Sequence, residues 1–208
     1  MIDIKHYTKL FFNEKTGKER YGIIQKEAEN FCKNNSIENC WEIAIECYNC
    51  ELYYIQLFGV YIMGIIAYRQ KQAYNFLKNE VSINSLWQIQ EFLAMAFDNY
   101  CKSMGYEQSL KTIDEWLGSK NKNHRRAVTE GLRIWTNRPY FKDNPQEAIR
   151  ILSGHKMDES EYVRKSVGNA LRDISKRYPE LVKNELEKWK LDTKEIGQVY
   201  KLASKFVK

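Results

Sequence analysis

Two segments in the second half of the chain are related by a fixed offset of 39 residues. The stretches NHRRAVTEGLRIW and EYVRKSVGNALRDI align Arg125 with Arg164 and Arg133 with Arg172. Apolar residues recur at helical spacing in both, which predicts amphipathic helices. Because no single helix pair can bury its own apolar face, the repetition predicts a stack of such pairs.

The same offset extends one unit upstream, where it aligns Glu91 with Glu130. Three helices then share an apolar column, which we expect to be buried between layers. The column contains Ile89, Val128 and Val167; Leu93, Leu132 and Leu171; and Ala96, Trp135 and Ile174. Helical repeats of about 40 residues are typical of HEAT-like proteins. We therefore predict an all-α, HEAT-like solenoid of antiparallel helix pairs with a basic concave groove.

Proline positions predict where several helices begin. Pro145 and Pro179 suit the first position of a helix, and "DESEYVRK" offers Asp158 or Ser160 as an N-cap. The predicted helix pairs are 38–48 with 51–66, 69–79 with 83–103, 106–117 with 122–137, 145–154 with 159–177, and 179–190 with 194–207.

Length and composition favour one folded domain over residues 1–208, with 43% hydrophobic and 13% aromatic residues. We expect residues 1–37 to form an N-terminal cap and residues 38–208 to form the stacked pairs. The chain has no run of 18 apolar residues, and its N-terminus lacks the pattern of a signal peptide. These features predict a cytoplasmic protein that does not enter a membrane, and we expect a monomer.

Cysteine usage predicts no metal site. The five cysteines are odd in number, and the histidines His6, His124 and His155 are too scattered to complete a zinc site. "CYNC", from Cys47 to Cys50, has redox spacing but lies in a helical pattern. Buried, reduced thiols are favoured over redox or metal chemistry.

A second, polar column runs along the same three helices. The formal net charge is +6 and the basic excess lies after Gly118, which favours a polyanionic partner. On the helix faces of a solenoid groove, the column would present Arg126, Arg133, Lys165, Arg172 and Lys176. The alternative is a solvated face with internal ion pairs, such as Glu130 with Arg126 or Arg133.

Two motifs in the second half of the chain are similar to those of a known protein family. "NHRRAVTEGLRIWTNRPYF" and "SEYVRKSVGNALRDISKRYPELV" resemble the DNA alkylation repair enzymes of HEAT-like fold, the AlkC and AlkD superfamily of alkylpurine DNA glycosylases. The resemblance is strongest from about Ser82 to Trp189. It implies a groove tryptophan with a carboxylate one helical turn later, and "WQIQE" supplies Trp87 and Glu91. AlkD-like members carry Asp at this carboxylate, so Glu91 is closer to AlkC-like members.

The resemblance also implies which residues hold DNA. Arg126 and Arg172 match family arginines that grip the DNA backbone. We also expect the DNA backbone to be bound by Arg125, Arg133, Lys165 and Lys176. Asn169 stands where AlkD-like enzymes carry a second groove tryptophan, and Glu130 is an alternative catalytic carboxylate.

The implied reaction is release of a cationic alkylated purine, such as 3-methyladenine or 7-methylguanine, from double-stranded DNA. Such a base is already a good leaving group, so the reaction needs no cofactor and no strong acid, only a carboxylate near the sugar. Two other functions remain open: a non-catalytic module that binds distorted or branched DNA, and a protein-binding scaffold.

Overall fold

The computed structural model describes residues 4–12 and 17–207, and all regular structure in these ranges is helical. Parts of the predicted cap, residues 1–3 and 13–16, lie outside the described residues. The chain divides into two compact units, Met1–Met104 and Gly105–Lys208. That residues 1–208 form one domain stays a prediction.

The first unit is built around α4, an almost wholly apolar helix. The helices of this unit are α1 (Ile4–Phe12), α2 (Gly17–Asn34), α3 (Ile37–Tyr48), α4 (Tyr53–Ile66), α5 (Lys71–Asn79) and α6 (Trp87–Met104), with a short 3₁₀ helix at Val81–Ile83. Because the α4 sequence YYIQLFGVYIMGII carries no charge, it is buried among the other five helices. Gly64 of α4 lies directly against Ala96 of α6, so a side chain there would collide with that helix.

The second unit is built around α11. Its helices are α7 (Leu110–Leu117), α8 (Lys122–Gly131), α9 (Pro139–Asp143), α10 (Pro145–Ser153), α11 (Glu161–Ser175), α12 (Pro179–Leu186) and α13 (Lys194–Ala203), with 3₁₀ helices at Trp135–Asn137 and Ser204–Phe206. α11 contacts α8, α10, α12 and α13. A methyl group added to Gly168 of α11 would lie 2.8 Å from Leu202 Cβ, which explains the glycine at this helix crossing.

The predicted apolar column is confirmed as core. All nine of its residues, three from each repeat, are fully buried in their own units. The aligned positions therefore share an environment as well as a residue type. The tryptophans Trp116, Trp135 and Trp189 are buried too.

The helix predicted over 122–137 is wrong beyond Gly131. Ile134 adopts left-handed backbone (φ 54°), and a 3₁₀ turn and the short α9 follow. The apolar spacing misled the prediction, because Leu132 and Trp135 stay buried although the α-helix has ended. The turn brings Trp135 against Phe141, with ring centroids 4.9 Å apart.

Other predicted boundaries are right only in part, since α6 begins at Trp87 and not at residue 83, and α12 ends at Leu186 and not at residue 190. α10 and α12 begin at Pro145 and Pro179 as predicted, and Ser160 is the N-cap residue of α11. The Ser160 hydroxyl makes no capping bond, however. Asp158 instead accepts a hydrogen bond from the backbone N–H of Ser160 (2.8 Å).

The five cysteines, all within the described ranges, are free thiols. Burial, followed by the charge of Glu46, raises the pKa of Cys47 to about 12. Residues 4–12 and 17–207 contain no group of three His, Cys, Asp or Glu side chains placed to hold a metal ion. Within the same ranges, no helix combines the length and apolar character needed to cross a bilayer.

Candidate nucleic-acid interface

Trp87 and Glu91 lie at the start of α6 and share one face of it. Trp87 is the first residue of the helix, and its side chain is 64% exposed. Glu91 follows one turn later and is half-buried. An exposed tryptophan with a carboxylate beside it offers an aromatic face and a negative charge to the same ligand.

Tyr21 of α2 locates the Glu91 carboxylate within the first unit. Burial raises the pKa of the Tyr21 phenol, and the nearby Tyr53 and the negative charge of Glu91 raise it further. Glu91 is therefore near Tyr21. As a residue, Glu91 is half-buried in this unit.

A cleft elsewhere in this unit does not include the two residues. A cleft of about 520 Å³ is lined by side chains of α2, α4 and α6, among them Glu29, Lys33 and Lys102. Neither Trp87 nor Glu91 is among its described lining residues. Trp87 stands instead on an open surface.

In the second unit, Asp173 of α11 organises a cluster of cations. Arg133 Nε donates to Asp173 Oδ2 (3.0 Å), Lys176 Nζ donates to Oδ1 (2.9 Å), and Arg172 reaches Oδ1 at 3.5 Å. Burial alone would raise the pKa of Asp173, but the bonds from Lys176 and Arg133 outweigh it and hold the pKa below its ordinary value. Three positive charges face Asp173 and, through Arg133, Glu130, so the group keeps a net charge of +1. We call Arg133, Arg172 and Lys176 the cationic cluster.

Glu130 of α8 anchors this cluster. Its Oε1 accepts from Arg133 (2.9 Å), and its Oε2 accepts from the Ser166 hydroxyl (2.8 Å). The predicted ion pair between Glu130 and Arg133 is confirmed. Both carboxylate oxygens of Glu130 are therefore engaged within the protein, and its role as the alternative catalytic carboxylate stays a prediction.

The structure does not support the predicted DNA-backbone role of Arg125. Its side chain is buried, and its guanidinium donates to Asp158, Glu159 and the backbone carbonyls of Ser119 and Lys120. All five N–H donors are thereby used within the protein. A phosphate has no access to this arginine.

His124, its neighbour, is also buried. It packs against Trp116 with ring centroids 4.7 Å apart, and its Nδ1 lies 2.8 Å from the Ser119 hydroxyl. His124 is therefore a packed residue of the second unit.

The remaining predicted residues lie on the helices expected. Arg126 is half-buried on α8, and Asn169 is half-buried on α11. Lys165 is exposed on α11 and pairs with Glu161 (2.7 Å), one turn earlier. Ion pairs between exposed groups stabilise little, so Lys165 can exchange this partner for a phosphate at small cost.

Sequence reasoning missed the acidic partners of the arginines. Asp158 and Asp173 each bind an arginine from a distant part of the chain. The spacing of Asp173 and Lys176 is a helical i, i+3 pair and was readable. The contact of Asp173 with Arg133 had no local signal.

The repeat and the packed helix pairs define a HEAT-like repeat protein. A family model described as "DNA alkylation repair enzyme" matches residues 5–201. The chain therefore belongs to the DNA alkylation repair enzyme family.

Two solved structures from Streptococcus mutans are similar over nearly the whole chain. AlkD2 is 48% identical with a TM-score of 0.90, and smu.31 of strain UA159 is 48% identical with a TM-score of 0.88. In both comparisons the match covers 98% of each chain. Both the fold and the sequence of this chain are therefore similar to these proteins over 98% of its length.

Two further matches are partial. The Pseudomonas fluorescens alkylpurine DNA glycosylase AlkC, solved bound to DNA with an abasic-site analogue, has a TM-score of 0.67 and 21% identity, over 96% of this chain and 55% of AlkC. It shows a shared fold. The uncharacterized protein YhaZ of Bacillus subtilis (strain 168) is 38% identical over 87 residues, which are 40% of this chain and 24% of YhaZ. That match thus spans about a quarter of YhaZ.

Proposed function

We propose that this chain is a monofunctional DNA glycosylase that releases cationic alkylated purines from double-stranded DNA. The observation that carries the proposal is the exposed Trp87 with Glu91 one turn later on α6, in a member of the DNA alkylation repair enzyme family. 3-Methyladenine and 7-methylguanine are the proposed bases. Because the substrate is genomic DNA, we also propose that the protein works in the cytoplasm, as a monomer.

The proposed reaction makes use of the positive charge that alkylation places on the purine. The bond between C1′ of the deoxyribose and N9 breaks, and its electron pair neutralises the base as it leaves. Positive charge develops on the sugar, as in glycoside hydrolysis. The Glu91 carboxylate stabilises this charge and orients a water toward C1′.

Water then completes the reaction. Its oxygen bonds to C1′, and its proton passes to Glu91 and on to solvent, leaving an abasic sugar and a free base. The Trp87 ring face contacts the cationic base or the sugar, because the face of an aromatic ring attracts positive charge. No metal or organic cofactor takes part in these steps.

We propose that the DNA backbone is held mainly by the cationic cluster, with Arg126 and Lys165. Arg172 has the weakest internal bond of the cluster, 3.5 Å to Asp173. It can therefore turn to a phosphate without leaving a buried charge unpaired. The affinity of such contacts falls steeply with salt.

The test is release of methylated purine from duplex DNA treated with a methylating agent. We expect the wild type to release base and Glu91→Gln to be slower by about a hundredfold or more, as for a lost transition-state electrostatic contact. Glu107→Gln, at an exposed position in the second unit, is the matched control and should behave as wild type. Equal release by Glu91→Gln and wild type would exclude Glu91 as the catalytic carboxylate.

A second candidate function is a non-catalytic module for distorted or branched DNA. The engagement of Glu130 by Arg133 and Ser166 favours it, because one of the two predicted catalytic carboxylates is then bound within the protein. Salt-dependent duplex binding without base release by the wild type would establish this alternative. In either case, Arg172→Ala should reduce the slope of log affinity against log salt by about one.

A further inference from the structure

The loop that leads into α6 exposes three large apolar side chains. Ile83 is 70% exposed, Leu86 43% and Trp87 64%, all within five consecutive residues. Single exposed apolar residues are ordinary, but a cluster on a protein surface marks a site of contact. Ile83 and Leu86 have no place in the reaction proposed above.

This loop is held in position by side-chain hydrogen bonds. The amide of buried Gln90 donates to the carbonyls of Val81 (3.0 Å) and Asn84 (2.7 Å). Asn84 in turn accepts from the backbone N–H of Leu86 (2.9 Å) and donates to the Tyr48 hydroxyl (3.1 Å). The backbone is therefore fixed before any ligand arrives, which lowers the entropy cost of binding.

Buried residues on both sides complete the support. Val81 and Ser82 precede the exposed tip and are fully buried, and the Ser82 hydroxyl donates to the carbonyl of Lys78. Ile89 follows the tip and is also fully buried. The apolar tip is thus a feature of the folded unit and not an unpacked end.

The chemistry of the tip points to bases rather than phosphates. Residues 81–90, VSINSLWQIQ, contain no charged side chain, and the residues on either side, Glu80 and Glu91, are acidic. A phosphate would find no cation in this segment. The faces of stacked bases are flat and uncharged, and apolar side chains that contact DNA commonly enter between base steps.

We propose that Ile83 and Leu86, with Trp87, form an apolar wedge that enters the base stack of duplex DNA next to a damaged nucleotide. The preferred ligand is a duplex with a weakened stack, such as one with an abasic site, because less stacking energy is lost there. The inference rests on the proposed function in one respect: Trp87 faces the DNA. Ile83 and Leu86 would then select damaged sites without touching the reacting atoms.

The test compares binding to two duplexes of one sequence, intact or with a tetrahydrofuran abasic site. The variant is Ile83→Ser with Leu86→Ser, and the control is Leu191→Ser, which removes another exposed apolar side chain (53% exposed). We expect the double variant to lose about tenfold or more in affinity for the abasic duplex, as expected when buried apolar contact is lost. Its affinity for the intact duplex and its melting temperature should stay as in wild type.

A spectroscopic readout reports the insertion itself. 2-Aminopurine beside the abasic site brightens when it is unstacked, so wild type and Leu191→Ser should raise its fluorescence and the double variant should not. An unchanged preference for the abasic duplex in the double variant would overturn the wedge. So would a change in oligomeric state with unchanged DNA binding, since the patch would then be a protein interface.

Base release measured on the same proteins separates this inference from the proposed function. Suppose that the wild type releases no base but prefers the abasic duplex, and that the double variant lacks this preference. The wedge then stands and the glycosylase proposal falls. If wild type releases base and the double variant keeps its abasic preference, the glycosylase proposal stands and the wedge falls.

Discussion

Arg125 of α8 and Asp158, in the turn that precedes α11, form a buried ion pair. The Arg125 Nε lies 2.6 Å from Asp158 Oδ2, and the two side chains are only 7% and 4% exposed. A second bond joins Arg125 Nη2 to Asp158 Oδ1 (3.0 Å), so the pair is bidentate. Arg125 and Arg126 were both predicted to bind the DNA backbone. Arg125 instead stabilises the fold of the second unit.

Removing this arginine should destabilise the protein without weakening DNA contacts directly. We expect Arg125→Ala to lower the free energy of unfolding by about 3–5 kcal/mol, because Asp158 is left as a buried, unpaired charge. Urea denaturation measures the change. Arg126→Ala is the matched control and should lose much less stability.

A double variant sharpens this prediction. Adding Asp158→Asn to Arg125→Ala should cost less than the sum of the two single changes, since the two residues share one interaction. Full stability of Arg125→Ala together with loss of duplex binding would contradict the structural assignment and restore Arg125 to the DNA contacts.

Asp173 should make the stability of the second unit depend on pH. Its pKa in the folded protein is held below its ordinary value by Lys176 and Arg133. Its stabilising effect is therefore complete above the unfolded pKa, about 3.9, and is lost as the pH falls through the lower folded value. We expect the stability gap between wild type and Asp173→Asn to be largest near neutral pH and to shrink below about pH 4.

The measurement is urea unfolding of both proteins across this pH range. Asp192→Asn, at an exposed position, is the control and should follow the wild type at every pH. A gap between wild type and Asp173→Asn that stays constant down to pH 2 would show that the carboxylate charge does not matter.

Ile134 should be a site where substitution stabilises the protein. A β-branched residue at φ 54° is strained, and the side chain is 41% exposed, so little apolar burial is lost on replacement. We expect Ile134→Asn to raise the free energy of unfolding by about 0.5–1 kcal/mol, because Asn tolerates left-handed backbone. Ile83→Asn, an exposed isoleucine without a positive φ, is the control and should bring no gain.

The thiol of Cys47 should be unreactive in the folded protein. Burial and the charge of Glu46 raise its pKa to about 12, so almost no thiolate exists at neutral pH. Alkylation at pH 7.5 followed by mass spectrometry should label Cys47 only after unfolding in urea. Rapid formation of a Cys47–Cys50 disulfide with oxidised glutathione would instead support the redox alternative for "CYNC".

Helix positions and core residues could be predicted because their signals are local or periodic. The 39-residue repeat placed Leu93, Leu132 and Leu171 at equivalent positions, and all three are fully buried. After Gly131 the apolar residues keep their helical spacing but the backbone is no longer α-helical, and the prediction was wrong there. There Leu132 is the C-cap of α8 and Trp135 begins a 3₁₀ turn, and both stay buried although the left-handed Ile134 separates the two helices.

The candidate site was predictable only in part. The repeat and the resemblance found Trp87, Glu91 and Arg172, because their spacing is local. The exposed neighbours Ile83 and Leu86 escaped notice, since apolar residues near a helix start are expected to be buried. Their exposure depends on how Gln90 and Asn84 hold the loop.

The amino-acid sequence by itself determined the helix pairs, the apolar column and the family, because periodicity, proline and repeated motifs act over a few turns of chain. Only the tertiary structure decided which basic side chains are buried and which remain at the surface. Arg125 meets Asp158 across 33 residues, and Arg133 meets Asp173 across 40. Such pairs form where folded helices bring distant side chains together, so the packing of α8 against α11 decides which arginines are held within the fold and which remain at the surface.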